Sequence, residues 1–156
     1  MIKILFVCHG NICRSPMAEY IMKYLVIEED LSSSFEIASC ATSNEEIGND
    51  IYPPARRALD KHKIPYEHRQ ARRITKNDFE YYDYIIVMDE NNIRYLRYSF
   101  DENDVQKARM LLSFTRDNRD VADPWYTGGF ETAYNDIYKG CKALLEYIKE
   151  NNKDSL

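Results

Sequence analysis

Short apolar runs alternate along the chain with segments in which apolar residues recur every three or four positions. The runs contain β-branched side chains and predict buried strands, whereas the recurrent segments predict amphipathic helices. The four predicted strands cover residues 2–7, 35–40, 84–88 and 108–112. The predicted helices cover residues 16–25, 53–61, 75–82, 89–99 and 130–148. Residues 115–129 hold proline, glycine, asparagine and aspartate and predict a loop, and the polar tail 151–156 is expected to fray.

Strands that alternate with helices are typical of an α/β domain with a mainly parallel sheet. A chain of 156 residues has the length of one domain, and neither an internal repeat nor a low-complexity linker divides it. We therefore expect a single domain over residues 1–156. In sheets of this kind the ligand binds beyond the carboxyl ends of the strands. Two predicted loops lie there, one at residues 8–15 and one after the fourth strand.

Composition indicates a globular protein and narrows its partners. Hydrophobic residues make up 44% and charged residues 30%, which excludes intrinsic disorder for most of the chain. The apolar run Ile4–Cys8 is too short for a membrane span or a signal-peptide core, so we expect a cytoplasmic protein with no membrane partner. The net charge of −5 argues against nucleic acid as a partner, because nucleic-acid binding requires a basic face. The four cysteines are too few for a disulfide scaffold and are expected to be free thiols.

The segment from Cys8 to Ser15 combines an anion-binding loop with a nucleophile. Its backbone N–H groups precede a predicted helix N-terminus, which attracts anions through amide donors and the positive end of the helix dipole. Arg14 adds a planar guanidinium that can hold two phosphate oxygens at once. The same positive field favours the thiolate of Cys8, and the Ser15 hydroxyl can donate to the sulfur. A bound phosphate monoester would bring phosphorus close to sulfur, and attack would give a phosphocysteine intermediate.

A second candidate group lies in the loop after the fourth strand, in the sequence Ala-Asp-Pro-Trp-Tyr at residues 122–126. The leaving group of a phosphate monoester needs a proton, and Asp123 can supply it as a general acid. Pro124 stiffens the loop and biases Asp123 toward an extended backbone. Trp125 and Tyr126 can stack on an aromatic leaving group, so phosphotyrosine is favoured over phosphoserine.

These residues resemble the low-molecular-weight protein tyrosine phosphatases. The family pattern Val-Cys-x-Gly-Asn-x-Cys-Arg-Ser-Pro is complete at residues 7–16, and the family's Asp-Pro followed by two aromatic residues is matched at residues 123–126. Shorter matches lie at residues 39–43, 46–48, 64–65 and 88–90. The resemblance spans nearly the whole chain. It implies a doubly wound α/β fold in which a four-stranded parallel sheet carries helices on both faces.

The resemblance also implies a role for each residue of the two motifs. Cys8 would be the nucleophile, Arg14 the clamp on the phosphate, and Asp123 first the general acid and then the base that activates water. Ser15 would stabilise the thiolate. The phosphate-binding loop would consist of Cys8, His9, Gly10, Asn11, Ile12, Cys13, Arg14 and Ser15.

The resemblance also implies residues that support the loop, and the sequence departs from the family pattern at three places. Asn11 would hold the shape of the loop through hydrogen bonds that include Ser39 and His68. The run after His68 carries one residue more than the family pattern. Glu45 stands where the family commonly has an aromatic residue, which implies an acidic mouth beside the two aromatic residues and a preference for basic residues near the phosphotyrosine. Cys40 stands where the family usually has a small residue.

Two other functions use a similar site. A thiol-type arsenate reductase resembles this fold and uses the same cysteine loop, but it needs a further, closely spaced cysteine pair, and Cys40 and Cys141 stand alone. A non-hydrolytic phosphocarrier or phosphotyrosine-binding module would not need Arg14 and Asp123 together. Both alternatives stay open at this point, with phosphotyrosine hydrolysis favoured.

The expected partners are phosphotyrosine-containing proteins, with inorganic phosphate as product and competitive ligand. No cofactor is expected, and Cys8, His9 and Cys13 do not have the spacing of a metal site. Cys8 and Cys13 lie five residues apart in one loop. We therefore expect peroxide to oxidise Cys8 first and Cys13 to close a disulfide with it.

Overall fold

The fold is built on a sheet of four parallel strands in the order β2-β1-β3-β4. The structure is a computed structural model that describes residues 1–154 and residue 156. The strands are β1 (Ile2–Cys8), β2 (Phe35–Ala41), β3 (Tyr84–Val87) and β4 (Ala108–Met110). Because β1 pairs with β2 on one side and with β3 on the other, the chain winds outward from β1 in both directions. The switch point of the topology is therefore the carboxyl end of β1, where ligands bind in such sheets.

Seven α-helices accompany the strands in the described part of the chain. They are α1 (Arg14–Glu28), α2 (Pro53–Lys61), α3 (Lys76–Tyr81), α4 (Glu90–Ser99), α5 (Glu102–Val105), α6 (Pro124–Thr127) and α7 (Phe130–Asn151). α1, α2 and α7 pack on one face of the sheet, and α3, α4 and α5 pack on the other. This arrangement confirms the predicted doubly wound α/β fold. Within residues 1–154, none of these helices has the length and apolar composition to cross a membrane.

The central strand β1 is buried on both faces from Ile4 onward, which explains why its sequence from Ile4 to Cys8 is continuously apolar rather than alternating. Ile4, Phe6 and Cys8 belong to the core under α1 and α7, whereas Leu5 and Val7 belong to the core under α3 and α4. This division follows from the period of two along a strand. Cys8 thus ends a row of core side chains at the edge where the sheet meets the loop before α1.

The fourth strand is shorter than its sequence predicts. β4 ends at Met110, and Leu111–Phe114 forms a 3₁₀ turn instead. Leu111 and Leu112 are both fully buried in the core that α7 covers. A continuing strand would turn these two side chains to opposite faces, so burial of both on one side ends the strand.

Two short helices and the end of α7 also differ from the sequence prediction. α5 was not predicted, and it begins at Asp101, whose carboxylate accepts a hydrogen bond from the backbone N–H of Asp104. The predicted loop 115–129 contains α6, which Asp123 caps in the same way. α7 extends to Asn151, so the first residue of the predicted frayed tail is helical. Ser155 lies outside the described residues.

Candidate active site

The carboxyl end of β1 opens into a cleft through the loop that precedes α1. Cys8 is the last residue of β1 and Arg14 is the first of α1, so residues 9–13 form the loop. The cleft is lined by Cys8, His9, Gly10, Ile12, Cys13, Arg14, Glu45, Glu46, Asp123, Trp125 and Tyr126. All of these except Glu46 are predicted site residues. The fold therefore brings the candidate nucleophile, the arginine, the candidate acid and the residues of the mouth into one space.

The sulfur of Cys8 lies among hydrogen-bond donors. The Ser15 hydroxyl oxygen is 3.1 Å from the sulfur, and the Ser15 backbone N–H donates to it at 3.4 Å. Asn11 Nδ2 donates to the Ser15 hydroxyl oxygen at 2.8 Å, so the serine proton faces two acceptors, the sulfur at 3.1 Å and the carbonyl of Cys40 at 3.4 Å. The N-terminus of α1 adds the positive end of its dipole. The sulfur thus faces hydrogen-bond donors and the positive end of a helix dipole.

Asn11 connects the loop to the elements behind it. The residue is fully buried and has a φ of 60°, in the left-handed region that asparagine tolerates better than most residues. Besides Ser15, its amide nitrogen donates to the Ser39 hydroxyl at 2.9 Å, and its amide oxygen accepts from the backbone N–H of Arg72 at 3.3 Å. Ser39 in turn donates to the carboxylate of Glu19 at 2.6 Å. The loop is thus tied to α1, to β2 and to the segment before α3.

His68 does not take part in this network, and the expectation that it does is wrong. Its Nδ1 lies 2.6 Å from a carboxylate oxygen of Asp50, and its side chain is 85% exposed. The imidazole contacts Asp50 rather than the loop, and the backbone of Arg72 occupies the place beside Asn11. Burial opposes ionisation of Asp50, but the hydrogen bonds from His68 and from two backbone N–H groups outweigh it and lower the pKa of Asp50 to about 2.

Arg72 is held by a bidentate ion pair. Its guanidinium donates to the two carboxylate oxygens of Asp78 at 2.9 and 3.0 Å. Its carbonyl accepts from the backbone N–H of Ala41 at 2.7 Å, at the end of β2. Although burial disfavours its charge, the hydrogen bonds to Asp78 raise the pKa of Arg72 above its usual value. The peptide that supports Asn11 is therefore fixed from both sides.

Arg14 is buried and oriented by groups on the opposite side of the cleft. Its Nη1 donates to a carboxylate oxygen of Asp89 at 2.6 Å and to the carbonyl of Val121 at 2.7 Å. Its Nη2 lies 3.5 Å from a carboxylate oxygen of Asp123. Burial disfavours the charge of the guanidinium, but the negative charges of Cys8, Asp89 and Asp123 raise the pKa of Arg14. Nη1 is thus fixed to the protein by two short hydrogen bonds, whereas Nη2 has only the longer contact with Asp123.

Asp123 stands at the rim of the cleft as the N-cap of α6. One of its carboxylate oxygens accepts the backbone N–H of Trp125 at 3.0 Å, and the other faces Arg14. Its side chain is 24% exposed, so the carboxylate reaches both the cleft and the solvent. Pro124 at the first position of α6 fixes the backbone next to it.

The mouth of the cleft has an aromatic side and an acidic side. Trp125 packs on Tyr52 with ring centroids 4.7 Å apart, and Tyr126 is largely exposed. On the other side, Glu45 lies 2.8 Å from Nε2 of His9. The Glu45 carboxylate expected to make the mouth acidic therefore contacts a residue of the phosphate-binding loop.

The cysteines other than Cys8 are buried thiols in different surroundings. Cys13 lines the cleft, and burial followed by the charges of Cys8 and Asp123 raises its pKa. Cys40 and Cys141 lie in the separate cores on opposite faces of the sheet, and burial raises the pKa of both. Within the described residues, no three or more His, Cys, Asp and Glu side chains are grouped so as to hold a metal ion.

Four residues of the site were missed by sequence reasoning. Asp89 accepts a hydrogen bond from Arg14, and Glu19 accepts one from Ser39. The backbone N–H of Arg72 donates to Asn11, and Glu46 lines the cleft. A signal exists for two of them. Asp89 directly follows a predicted strand at the carboxyl edge of the sheet, and Glu19 is an acidic residue inside an otherwise apolar stretch of α1.

Comparison with known proteins agrees with this geometry. Residues 3–154 match the sequence model of the family described as low molecular weight phosphotyrosine protein phosphatase. The Homo sapiens protein of that name is 40% identical over 148 residues, which cover 92% of this chain and 93% of the human protein. The crystal structure of YfkJ from Bacillus subtilis has 36% sequence identity and a TM-score of 0.93, covering 97% of each chain. The crystal structure of DARP, a drosophila arginine phosphatase, has 31% identity and a TM-score of 0.84, covering 95% of this chain and 98% of that one. The chain therefore belongs to the low-molecular-weight phosphotyrosine protein phosphatases, a family of metal-independent hydrolases.

Proposed function

We propose that Cys8, Arg14 and Asp123 carry out the hydrolysis of phosphotyrosine in proteins, and of small aryl phosphates, through a phosphocysteine intermediate. The observation that carries this proposal is the convergence of a thiol, a guanidinium and a carboxylate in one cleft at the carboxyl end of β1. Cys8 and Arg14 lie in one segment, and Asp123 lies 109 positions after Arg14. In the fold, Nη2 of Arg14 is 3.5 Å from a carboxylate oxygen of Asp123.

Binding of the phosphate group is assigned to the loop and to Arg14. In this proposal the backbone N–H groups of residues 9–15 donate to phosphate oxygens, with the dipole of α1 behind them, and the N–H of Ser15 also faces the sulfur. Arg14 donates to two further oxygens through Nε and Nη2, because Nη1 is engaged by Asp89 and Val121. This arrangement presents phosphorus to the Cys8 sulfur.

In the first chemical step, the thiolate of Cys8 attacks phosphorus and the bond from phosphorus to the tyrosine oxygen breaks. Asp123 gives its proton to that oxygen, so tyrosine leaves as the neutral phenol. In the second step, Asp123 takes a proton from water while the water oxygen attacks phosphorus. The phosphorus–sulfur bond breaks, the thiolate is restored, and inorganic phosphate is released. Ser15 supports both steps by donating to the sulfur whenever it is negatively charged.

Phosphotyrosine is the substrate that the walls of the cleft favour. Ile12, Trp125 and Tyr126 offer apolar and aromatic surface to a phenyl ring. Phosphoarginine is the main alternative substrate, because a structural relative of this chain is an arginine phosphatase. A guanidinium leaving group would gain less from aromatic walls than a phenol does, so we assign phosphotyrosine.

The remaining partner assignments are proposals of the same kind. Inorganic phosphate, the product, should compete with substrate for the loop. The net charge of −5 supports protein substrates rather than nucleic acid, and we assign no membrane partner. Four free thiols support a location in a reducing compartment such as the cytoplasm.

Two alternative functions are less well supported by the same residues. A thiol-type arsenate reductase needs further cysteines near the nucleophile, whereas Cys40 and Cys141 are buried in separate cores. A phosphocarrier or a phosphotyrosine-binding module has no use for a general acid at the rim, and Asp123 is placed to act as one.

The experiment is a turnover assay with p-nitrophenyl phosphate and with phosphotyrosine, phosphoserine and phosphoarginine peptides, each run with and without chelator. Cys8→Ser and Arg14→Ala should abolish hydrolysis. Asp123→Ala should lower it by about 10²–10⁴-fold, with a smaller loss for leaving groups of low basicity. His68→Ala is the matched control, because the imidazole lies outside the network, and it should retain wild-type activity.

Substantial turnover by Cys8→Ser would refute the proposed nucleophile. A higher kcat/KM for the phosphoarginine peptide than for the phosphotyrosine peptide would refute the assigned substrate. Chelator-sensitive turnover would refute the metal-independent mechanism.

A further inference from the structure

The segment that carries Asp123 has no regular secondary structure of its own. Residues 118–123 lie outside every helix and strand, between the 3₁₀ turn at Leu111–Phe114 and α6. A general acid must be held within hydrogen-bond distance of the leaving oxygen to be effective. The contacts that fix this segment therefore decide how well Asp123 is placed.

One side of the segment is fixed to the connection between β3 and α4. Val121 is fully buried, and its N–H donates to the carbonyl of Met88 at 2.9 Å. The Asp120 carboxylate accepts from the backbone N–H of Glu90 at 3.1 Å, at the start of α4. These contacts leave the opposite side, which faces α7, to be held by other groups.

Arg119 supplies the contact to α7. Its guanidinium donates through both terminal nitrogens to the two carboxylate oxygens of Asp136, each at 3.0 Å. The same guanidinium donates to the carbonyl of Asp120 at 3.1 Å, so it is fixed to its own backbone as well. The side chain of Asp136 is only 14% exposed, so its surroundings restrict the orientation of the carboxylate that accepts these two hydrogen bonds. A bidentate arginine–carboxylate pair constrains orientation as well as distance.

We propose that Arg119, through its bidentate pair with Asp136, is a positioning residue for the general acid Asp123. The pair holds segment 119–123 against α7 while Val121 holds it against β3, and Asp123 follows two residues after Val121. This inference rests on the proposed role of Asp123. Arg119 touches neither the substrate nor Cys8, and Val121, whose carbonyl holds Arg14, keeps its own hydrogen bond to Met88, so the effect of Arg119 should appear only in the step that depends on proton donation.

The test compares aryl phosphates whose leaving groups differ in basicity. Phenyl phosphate and phosphotyrosine need a proton on the leaving oxygen, whereas dinitrophenyl phosphate does not. Arg119→Met and Asp136→Asn should each lower kcat/KM for phenyl phosphate by about two- to tenfold, in line with an exposed ion pair that acts through position. Both variants should leave kcat/KM for dinitrophenyl phosphate unchanged. The double variant should lose no more than either single variant, because the two side chains act as one pair.

Two further variants separate positioning from stability. Arg119→Lys keeps the positive charge but cannot form the bidentate pair. Its kcat/KM for phenyl phosphate should therefore lie between those of the wild type and Arg119→Met. Lys149→Met is the matched control, because Lys149 also forms an ion pair from α7, with Glu29 at 2.6 Å. It should show the same dependence on the leaving group as the wild type, even if its melting temperature falls as far as that of Arg119→Met.

The outcomes distinguish this inference from the proposed function. If Asp123→Asn shows the steep dependence on the leaving group but Arg119→Met lowers kcat/KM equally for every substrate, or not at all, then Arg119 does not position the acid. If Asp123→Asn itself shows no dependence on the leaving group, the proposed role of Asp123 is wrong, and the inference falls with it.

Discussion

Replacing Asn11 tests whether the phosphate-binding loop activates the sulfur or only surrounds it. The orientation of the Asn11 amide is fixed by its partners, because the backbone N–H of Arg72 can only donate and must face Oδ1. Nδ2 therefore donates to Ser15 and Ser39, and the Ser15 proton is left for the Cys8 sulfur at 3.1 Å, the nearer of its two acceptors, or for the Cys40 carbonyl at 3.4 Å. Asn11 thus decides that the Ser15 hydroxyl acts as a donor toward the sulfur.

Three substitutions separate the contributions of that residue. Asn11→Ala removes two buried hydrogen bonds and one partly buried one, and it places alanine at a φ of 60°. At about 0.5–1.5 kcal/mol for each bond and about 1 kcal/mol for the left-handed backbone, the protein should lose about 2.5–5.5 kcal/mol of stability. Asn11→Gly loses the same bonds but tolerates the backbone conformation, so it should be the more stable of the two.

Asn11→Asp is nearly isosteric and changes only the direction of the bonds. An ionised carboxylate cannot donate, so the Ser15 proton turns toward it and away from the Cys8 sulfur. The thiolate then loses a hydrogen bond to a charged acceptor, which is worth about 1.5–3 kcal/mol, and gains a buried negative neighbour. We expect kcat/KM to fall by at least about 10–150-fold, the rate equivalent of that energy.

Alkylation of Cys8 by iodoacetamide over a range of pH measures the thiolate directly. The Asn11→Asp protein should need a higher pH than the wild type to reach half of its maximal alkylation rate. Circular dichroism and thermal unfolding control for global damage. An alkylation profile identical to that of the wild type, in a folded Asn11→Asp protein, would show that Ser15 does not stabilise the sulfur.

Three other predictions concern the mouth, the second cysteine and the support behind the loop. Glu45→Tyr should lower the preference for phosphotyrosine peptides with basic neighbours by about two- to tenfold at low salt, and equal wild-type efficiency on acidic and basic peptides would contradict an acidic mouth. Peroxide should convert Cys8 to a sulfenic acid, and Cys13 should then form a disulfide with it and release water. If thiol reductant restores activity as fully in Cys13→Ser as in the wild type, this prediction is contradicted. Because burial and then the charge of Cys8 raise the pKa of Cys13, closure should accelerate as the pH rises. Asp78→Asn should cost about 1–3 kcal/mol of unfolding free energy at neutral pH, measured by denaturant titration. Burial opposes ionisation of Asp78, but Arg72 lowers its pKa on balance, so this difference should be present above about pH 4 and vanish in strong acid; an equal loss at low pH would refute the ion pair as its source.

The fold and the centre of the site were accessible from sequence because both depend on local signals. The apolar run at residues 2–8 ends in a cysteine, and a proline marks the first turn of the next helix, so the strand, loop and helix follow from neighbouring residues. Asp123 followed from its place beyond the fourth strand, because parallel strands bring their carboxyl ends to one edge of the sheet.

The residues behind the site depend on contacts that no local pattern records. Asp89 lies 75 positions after Arg14, and the Arg72 backbone lies 61 positions after Asn11. His68 illustrates the same limit, because a single additional residue in an irregular segment decides which group faces the loop. β4 was predicted too long for a related reason: the burial of Leu111 and Leu112 on one side is set by packing against α7, not by their own apolar character.

The charged groups around Arg14 bear on both steps of the proposed reaction. Arg14 is the buried cation there, and the carboxylate of Asp89 engages it closely at 2.6 Å, whereas that of Asp123 lies farther off at 3.5 Å. A phosphate dianion that enters beside the thiolate of Cys8 adds negative charge next to Arg14 and repels the loosely held carboxylate more easily than the tightly held one. In the proposed mechanism, Asp123 gives its proton to the leaving phenol and then, as a carboxylate beside the phosphocysteine, accepts a proton from water. The short contact with Asp89 would keep Arg14 in place through both steps, and the longer contact with Asp123 would leave that carboxyl able to act first as acid and then as base.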